Sequence, residues 1–316
     1  MLRLWQLLAV LLVSSLPAAA YENPILPRIN DPDCILLDGA YRLIEPEGGT
    51  KAGHFAYRTS TDLVHWSDPI PILLQAPGTA LWQGSFLRDT DGQLYLYSAA
   101  VAPGRLKTIH VARAADFTEP FTDLGVVAQN AIDPFPIRAA DGSLWLYYKD
   151  DSTGQKGIWA QRMTDPATPA LTTAVEILHP RPHTFEDNGY QSVEGPTVIY
   201  RAGLYFLLYT GGPFDQTTYA VGYAVSKSPD GPFQRGPNNP ILSNSKSPGV
   251  YSPGVPTVVQ DGAGQSWLVY RQRATAGRKS PRQLTIDPLD DSRAAEGILS
   301  ASAKAQTNEP DPVPLP

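Results

Sequence analysis

Five copies of one β-hairpin pattern follow one another along this chain, and they constrain its fold more than any other feature. Each copy has an apolar stretch, a turn that contains glycine, and a second stretch rich in tyrosine and tryptophan. In the first three copies the turn is Asp-Gly, which favours a tight hairpin because these residues tolerate the backbone angles of such turns. The leading aromatic residues of the second stretches are 50 to 62 residues apart: Tyr41, Tyr95, Trp145, Tyr205 and Trp267.

A third stretch follows each hairpin and roughly alternates apolar and polar residues, as a half-buried strand does. In the fourth copy it reads Val-Gly-Tyr-Ala-Val-Ser over residues 221–226. A strand-based repeat of about 50 residues is typical of propeller blades. The sequence therefore predicts an all-β fold, a five-bladed β-propeller, over residues 21–302.

Both ends of the chain differ from the repeats. Residues 1–20 are typical of a signal peptide, with Arg3 ahead of an apolar run and three alanines at the expected cleavage site. The run is short for a membrane span, so we expect a secreted or periplasmic protein, the alternative being a retained membrane anchor. Residues 303–316 are rich in proline and are expected to form a flexible or extended tail.

Composition limits the partners of the chain. The formal net charge is -6 and there is no basic run, so a nucleic acid partner is not expected, nor is a membrane. The single cysteine, Cys34, excludes an internal disulfide and is expected to be a small buried apolar residue. The sequence leaves the oligomeric state open.

Three of the five repeats begin with an acidic residue: Asp31, Asp133 and Glu194. Each lies eight or nine residues before the glycine of its hairpin, and the equivalent positions in the second and fifth repeats hold Gln83 and Val255. The innermost strands of a propeller surround a central channel. Residues at one offset in the repeat are therefore expected to meet at one mouth of that channel.

Converging carboxylates raise each other's pKa and are typical of metal binding or of acid–base chemistry. A single Asp-Pro pair is more often an ordinary turn, but three equivalent positions favour a functional site. Paired carboxylates without a histidine cluster fit glycoside hydrolysis. In that reaction an ionised aspartate deprotonates a water molecule, and a glutamate kept protonated by the neighbouring acids donates to the leaving oxygen.

The segments that carry these acids resemble the signature motifs of glycoside hydrolase family 43. They are Asn-Asp-Pro-Asp-Cys-Ile at 30–35, Ile-Asp-Pro-Phe-Pro-Ile at 132–137 and Val-Glu-Gly-Pro-Thr-Val-Ile at 193–199. The resemblance runs from about Asn23 to Asp290. It implies a five-bladed propeller, inverting hydrolysis and activity on polysaccharides that contain arabinose or xylose.

The resemblance also implies residue roles. By position, Asp31 corresponds to the general base, Glu194 to the general acid, and Asp133 to the residue that modulates the pKa and orientation of the acid. The family has a substrate-contacting arginine in the last blade, for which Arg278 and Arg282 are the candidates.

In one place the chain departs from the family. Where the family commonly has Gly-His beside an axial calcium or water cluster, this chain has Gly254-Val255. We therefore expect no metal and no cofactor. Trp82 and Tyr190 lie near repeat heads and are candidates to stack on a sugar ring, the alternative being that they pack between blades.

These features predict an exo-acting α-L-arabinofuranosidase that acts on arabinan or arabinoxylan side chains of plant cell walls. Within enzymes, β-xylosidase is the alternative. A non-catalytic sugar-binding propeller is the alternative from another class, although such a protein would not need three converging acids. A sucrose- or fructan-active propeller is disfavoured because its Arg-Asp-Pro and Glu-Cys-Pro motifs are missing here.

Overall fold

The computed structural model describes residues 20–46, 54–72, 74, 81–101, 107–152, 156–301, 303, 309–310 and 312–315. The predicted signal peptide lies outside the described residues except for its last alanine. Strands β2 to β22 form five antiparallel sheets. Each sheet takes its strands in chain order from the channel outwards, so the predicted five-bladed propeller is confirmed.

The first two blades have four strands each. They are β2 (Asp33–Leu37), β3 (Ala40–Pro46), β4 (Phe55–Ser60) and β5 (Ile70–Pro71), then β6 (Leu81–Arg88), β7 (Leu94–Val101), β8 (Lys107–Ala114) and β9 (Thr122–Gln129). Blade 3 has a divided outer edge: β10 (Ala131–Arg138), β11 (Leu144–Asp150), β12 (Ile158–Asp165), β13 (Thr168–Pro169) and β14 (Val175–Leu178).

Blades 4 and 5 again have four strands each. They are β15 (Val193–Arg201), β16 (Leu204–Gly211), β17 (Ala220–Ser226) and β18 (Gln234–Arg235), then β19 (Tyr251–Gln260), β20 (Ser266–Arg273), β21 (Arg282–Asp290) and β22 (Ser300–Ala301). A 3-10 helix, Ala294–Glu296, precedes the last of these strands. Among the described residues no helix has the length and apolar character that a membrane crossing requires.

The five hairpins turn at the predicted glycines. Each of these residues has a positive φ between 71° and 83°, a conformation that a side chain would strain. They are Gly39, Gly92, Gly142, Gly203 and Gly264. The aromatic residues that follow the turns are buried, and the hydrophobic clusters that contain them lie between neighbouring blades. Burial of the blade faces against each other therefore holds the ring together.

The ring is closed where blade 5 meets blade 1. Strand β19 lies against β2, and the amide of Cys34 donates to Oγ1 of Thr257 at 3.2 Å. The chain ahead of blade 1 runs along β21. The amide of Ile25 donates to the carbonyl of Leu284 at 2.8 Å, and the amide of Leu284 donates to the carbonyl of Leu26 at 2.9 Å.

The described part of the C-terminal segment crosses the same junction. Strand β1 (Ala20–Tyr21) pairs with β23 (Glu309–Pro310), and the amide of Leu315 donates to the carbonyl of Thr61 at 2.9 Å. This part of the predicted tail is thus extended and hydrogen-bonded to the propeller. The two ends of the described chain together cover the junction at which the last blade meets the first.

Candidate active site

The predicted site residues line one cavity at the end of the channel where the innermost strands begin. The cavity has a volume of about 630 Å³. All seven residues proposed from the sequence as catalytic or sugar-binding contribute to its wall: Asp31, Trp82, Asp133, Tyr190, Glu194, Arg278 and Arg282. Val255 also lines the cavity, as its place in the repeat predicts.

The backbone at the repeat heads aims these side chains into the cavity. Asp31, Asp133 and Val255 have positive φ angles of 33°, 56° and 50°, which are uncommon for residues other than glycine. In blade 3 the register with the next strand shifts between Ile132 and Phe135, and equivalent shifts occur in blades 4 and 5. Such a bulge redirects a side chain at the end of a strand. The strained conformation marks these positions as functional candidates.

Two arginines from blade 5 hold Asp31. Nε of Arg271 donates to its Oδ1 at 2.9 Å, and Nη1 of Arg282 donates to both carboxylate oxygens at 3.0 Å. Burial alone would raise the pKa of Asp31, but the charges and hydrogen bonds of Arg282 and Arg271 outweigh it, and the pKa lies below its usual value. Asp31 is therefore a stable carboxylate, with 20% of its side chain exposed to the cavity.

Glu194 is held by a lysine and a tyrosine. Nζ of Lys149 donates to Oε2 at 2.7 Å, and the hydroxyl of Tyr219 donates to Oε1 at 2.6 Å. Burial raises the pKa of Glu194, but the charge and hydrogen bond of Lys149, with smaller contributions from Tyr219 and Arg271, lower it overall. The sequence-based expectation that neighbouring acids raise the pKa of Glu194 is wrong, because it took no account of Lys149.

Asp133 is the acid that holds a proton. Its Oδ2 accepts a hydrogen bond from the amide of Gly195 at 3.0 Å. Burial and the negative charge of Glu194 raise the pKa of Asp133 to about 7, and Lys149 offsets only part of this rise. The three acids therefore differ: the pKa of Asp31 and that of Glu194 are lowered, the pKa of Asp133 is raised, and the proton that Asp133 and Glu194 share favours Asp133.

Lys149 and Arg271 were not among the predicted site residues, yet both hold the same position in the repeat. Lys149, Thr210 and Arg271 each follow the tyrosine near the end of the second strand in blades 3, 4 and 5. Each contacts the head of the next blade: Lys149 reaches Glu194, Arg271 reaches Asp31, and Oγ1 of Thr210 accepts from the amide of Val255 at 3.0 Å. Alignment of the second strands would have revealed this position.

The rim of the cavity carries three aromatic rings, each with a cation over its face. Lys107 lies 4.2 Å from the ring centre of Trp82, and Lys156 lies 3.7 Å from that of Tyr190. The third ring is that of Phe214, with the Arg282 guanidinium 5.9 Å away. Phe214 and Tyr190 are exposed, as an aromatic surface for a sugar would be.

The predicted arginine, Arg278, lies at this rim and not beside the acids. Its side chain is 79% exposed and pairs with Asp215. Arg282, the second candidate from the sequence, and Arg271 contact Asp31 instead.

Two side chains that blade 5 contributes to this cavity are not calcium ligands. Calcium prefers six to eight oxygen ligands, whereas blade 5 contributes the apolar side chain of Val255 and the guanidinium of Arg271 to this part of the cavity. Within the part of the chain that the structure describes, no group of three or more acidic, histidine or cysteine side chains is arranged to hold a metal ion.

Comparison with known proteins agrees with the fold. Residues 21–292 match the glycosyl hydrolases family 43. The chain therefore belongs to that family.

Two curated relatives show how far the similarity extends. Extracellular endo-alpha-(1->5)-L-arabinanase 2 of Bacillus subtilis is 24% identical over 280 residues, which cover 75% of this chain and 56% of the relative. Extracellular exo-alpha-(1->5)-L-arabinofuranosidase of Streptomyces avermitilis is 24% identical over 303 residues, covering 87% and 60%. The chain thus spans about three fifths or less of the length of these relatives.

Solved structures share the fold along nearly the whole chain. A thermostable family-43 glycoside hydrolase superposes with a TM-score of 0.79 at 24% identity, covering 92% of this chain and 99% of that one. An alpha-L-arabinofuranosidase from Lactobacillus brevis has a TM-score of 0.71 at 19% identity, covering 94% and 98%. At these identities the likeness supports the fold alone.

The arginine pair generates a prediction about Asp31. Replacement of Arg282 by Met should raise the pKa of Asp31, because one of the two charges that lower it is removed. The measurement is a carbon-13 NMR titration of the side-chain carboxyl, assigned by its loss in Asp31→Asn. Arg278→Met is the matched control, since it removes a cavity arginine that pairs with Asp215. Equal titration curves in the two arginine variants would contradict this account of the site.

Proposed function

We propose that the protein is an inverting glycoside hydrolase, an exo-acting α-L-arabinofuranosidase on arabinan or arabinoxylan side chains. The observation that carries the proposal is the set of three carboxyl groups from three blades in one cavity, each in a different electrostatic environment. Inverting hydrolysis needs one ionised carboxylate as base and one carboxylic acid as proton donor. Family membership and the names of the relatives support the choice of reaction and sugar.

Asp31 is the general base in this proposal. Its carboxylate stays ionised because Arg271 and Arg282 stabilise the negative charge, and the same contacts fix its orientation. It removes a proton from a water molecule that attacks the anomeric carbon. A base with a lowered pKa remains active in mildly acidic solution, where a carboxylate of ordinary pKa begins to be protonated.

Glu194 is the general acid and Asp133 assists it. The proton that leaves with the glycosidic oxygen comes from the Glu194 carboxyl, which must first be protonated. Asp133 shares that proton with Glu194, and its bond from the amide of Gly195 fixes it beside the acid. The pair supplies one proton per turnover and regains it from water.

The cavity suits a terminal sugar residue. Its volume of about 630 Å³ lies within the range of about 300–1,000 Å³ typical of small-molecule sites. Arg271 is only 1% exposed, and within the described chain its Nη1 has no hydrogen-bond partner. A sugar hydroxyl at the base of the cavity would satisfy this buried donor. Tyr190 and Phe214 at the rim then support the next residue of the substrate.

We also propose that the protein works outside the cytoplasm on plant cell-wall oligo- or polysaccharides. The predicted signal peptide at residues 1–20 and the extracellular relatives support this location. Recovery of the processed protein, with a new N-terminus near Tyr21, from culture medium or periplasm would test it.

A substrate panel tests the reaction and the sugar. We expect faster release of arabinose from nitrophenyl arabinofuranoside and arabinoxylan than of xylose from nitrophenyl xyloside. Asp31→Ala and Glu194→Ala should each lower turnover by at least about 100-fold on the natural substrate. Glu194→Ala should be less damaging with the nitrophenyl group, which leaves without help from an acid.

The same panel separates the alternatives. Preference for the xyloside would identify a β-xylosidase. Binding of arabino-oligosaccharides without any hydrolysis would identify a sugar-binding propeller. If either acid variant kept a near-normal rate on arabinoxylan, the assigned roles would have to be abandoned.

The stereochemistry of the product tests the mechanism independently. An inverting pair of carboxyl groups stands about 6.5–9.5 Å apart, which leaves room for the attacking water. Because Asp31 acts on water and not on the sugar in this proposal, we expect Asp31 and Glu194 at this spacing and a first-formed sugar with the opposite anomeric configuration to the substrate. Proton NMR at early times distinguishes the two anomers, and a retained anomer would rule out Asp31 as a base.

The hydrolysis is proposed to need no metal, since Val255 and Arg271, which line the cavity, offer no oxygen ligand to an ion. We expect activity to survive dialysis against EDTA, with magnesium and calcium added back as controls. A large loss that calcium alone restores would show that other groups complete a metal site.

A further inference from the structure

Each carboxylate oxygen of Glu194 accepts a hydrogen bond from the protein. Oε2 accepts from the ammonium of Lys149 and Oε1 from the hydroxyl of Tyr219. A general acid must carry a proton and direct it at the leaving oxygen. The close ammonium favours the carboxylate form of Glu194, so this contact has to weaken before Glu194 can act as the acid of the proposed reaction.

Lys149 is placed beside both members of the acid pair. It lies on β11 opposite Ile132 of β10, next in sequence to Asp133. Its side chain is 7% exposed, and its charge acts on Asp133 as well as on Glu194. The hydrogen bond between Asp133 and the amide of Gly195 brings the two acids together at the same point.

We propose that Lys149 is a positioning residue that decides which of the two acids, Asp133 or Glu194, carries their shared proton. In the structure the ammonium is bonded to Glu194, and the shared proton favours Asp133. When substrate enters, the ammonium moves from Glu194 to Asp133, and the proton passes from the Asp133 carboxyl to the Glu194 carboxylate. One O–H bond breaks and one forms, while Lys149 keeps its protons and the net charge is unchanged.

The catalytic part of this inference rests on the proposed function. In that reaction the proton transfer from Asp133 makes Glu194 a proton donor only when a sugar fills the cavity.

The other charged and titratable groups around Glu194 cannot take this role. Arg271 acts on Glu194 from β20, but its Nε is bonded to Asp31. Tyr219 is neutral, since burial raises its pKa well above the usual value. Asp151 acts on Lys149 and is itself paired with Lys107. Among the described residues Lys149 is the only cation within hydrogen-bond distance of Glu194.

The sign of the pH effect follows from the charges. The acid pair loses its proton as the pH rises through the pKa of about 7 that burial and Glu194 give Asp133, and activity should fall there. Lys149 lowers the pKa of both acids. Its removal should therefore raise both pKa values and move the basic limb of the kcat/KM profile to higher pH.

The first test compares pH profiles of kcat/KM for the wild type, Lys149→Met and Lys149→Arg. We expect the basic limb of Lys149→Met to rise by about one pH unit or more, as for a carboxyl that loses a close opposite charge. The limb of Lys149→Arg should stay near that of the wild type. Lys156→Met is the control, because it removes a positive charge that lies over Tyr190 and contacts neither acid. If the basic limb of the kcat/KM profile of Lys149→Met lay at the wild-type pH, the proposal would be overturned.

A second test does not depend on turnover. Carbon-13 NMR of labelled glutamate follows the Glu194 carboxyl, assigned by its loss in Glu194→Gln. The wild-type signal should remain that of a carboxylate at neutral pH, while Lys149→Met should show Glu194 taking up a proton there. If Lys149→Met does not fold, Lys149→Gln serves instead. A wild-type Glu194 that titrates near neutral pH would overturn the proposal even in an active enzyme. Absence of hydrolysis with the expected titration would instead refute the proposed function.

Discussion

Pairing of each ionised acid with a cation from the preceding blade is the interaction on which the rest of the site depends. Carboxylates that share a buried cavity repel one another and resist joint ionisation. Lys149 faces Glu194, and Arg271 faces Asp31. Asp133 accepts only a backbone amide and takes up the proton instead. The same contact with a cation is present at Glu194 and at Asp31 and missing at Asp133. This difference gives the three carboxyl groups different protonation states.

The same position faces the apolar head of blade 5. In the step from blade 4 to blade 5 the contacting residue is Thr210, which is neutral, and it accepts from the backbone of Val255 and not from a side chain. In these three steps a cation faces each ionised acid, and a neutral residue faces the apolar head. One contact geometry thus recurs three times, and the side chains at this position distinguish the steps.

Most of the fold could be predicted because its signals are local. Turn glycines, strand periodicity and repeat heads lie within about 20 residues of each other, and the structure confirms the hairpins they imply. The outermost strands were missed, since most, such as Ile70–Pro71, are only two residues long and carry no period. Lys149 was missed, and the pKa direction of Glu194 with it, because the two residues are 45 apart in sequence. Their contact becomes visible only when adjacent blades are compared.

The separation between Asp31 and its arginines has a consequence for how the protein is made. Arg271 lies 240 residues after Asp31, and Arg282 lies 251 residues after it. A growing chain therefore carries this acid through four completed blades before either counter-ion has been synthesised. Contacts between such distant residues slow folding, because a long loop must close first. Ring closure and the pairing of Asp31 with its arginines are consequently a single late event.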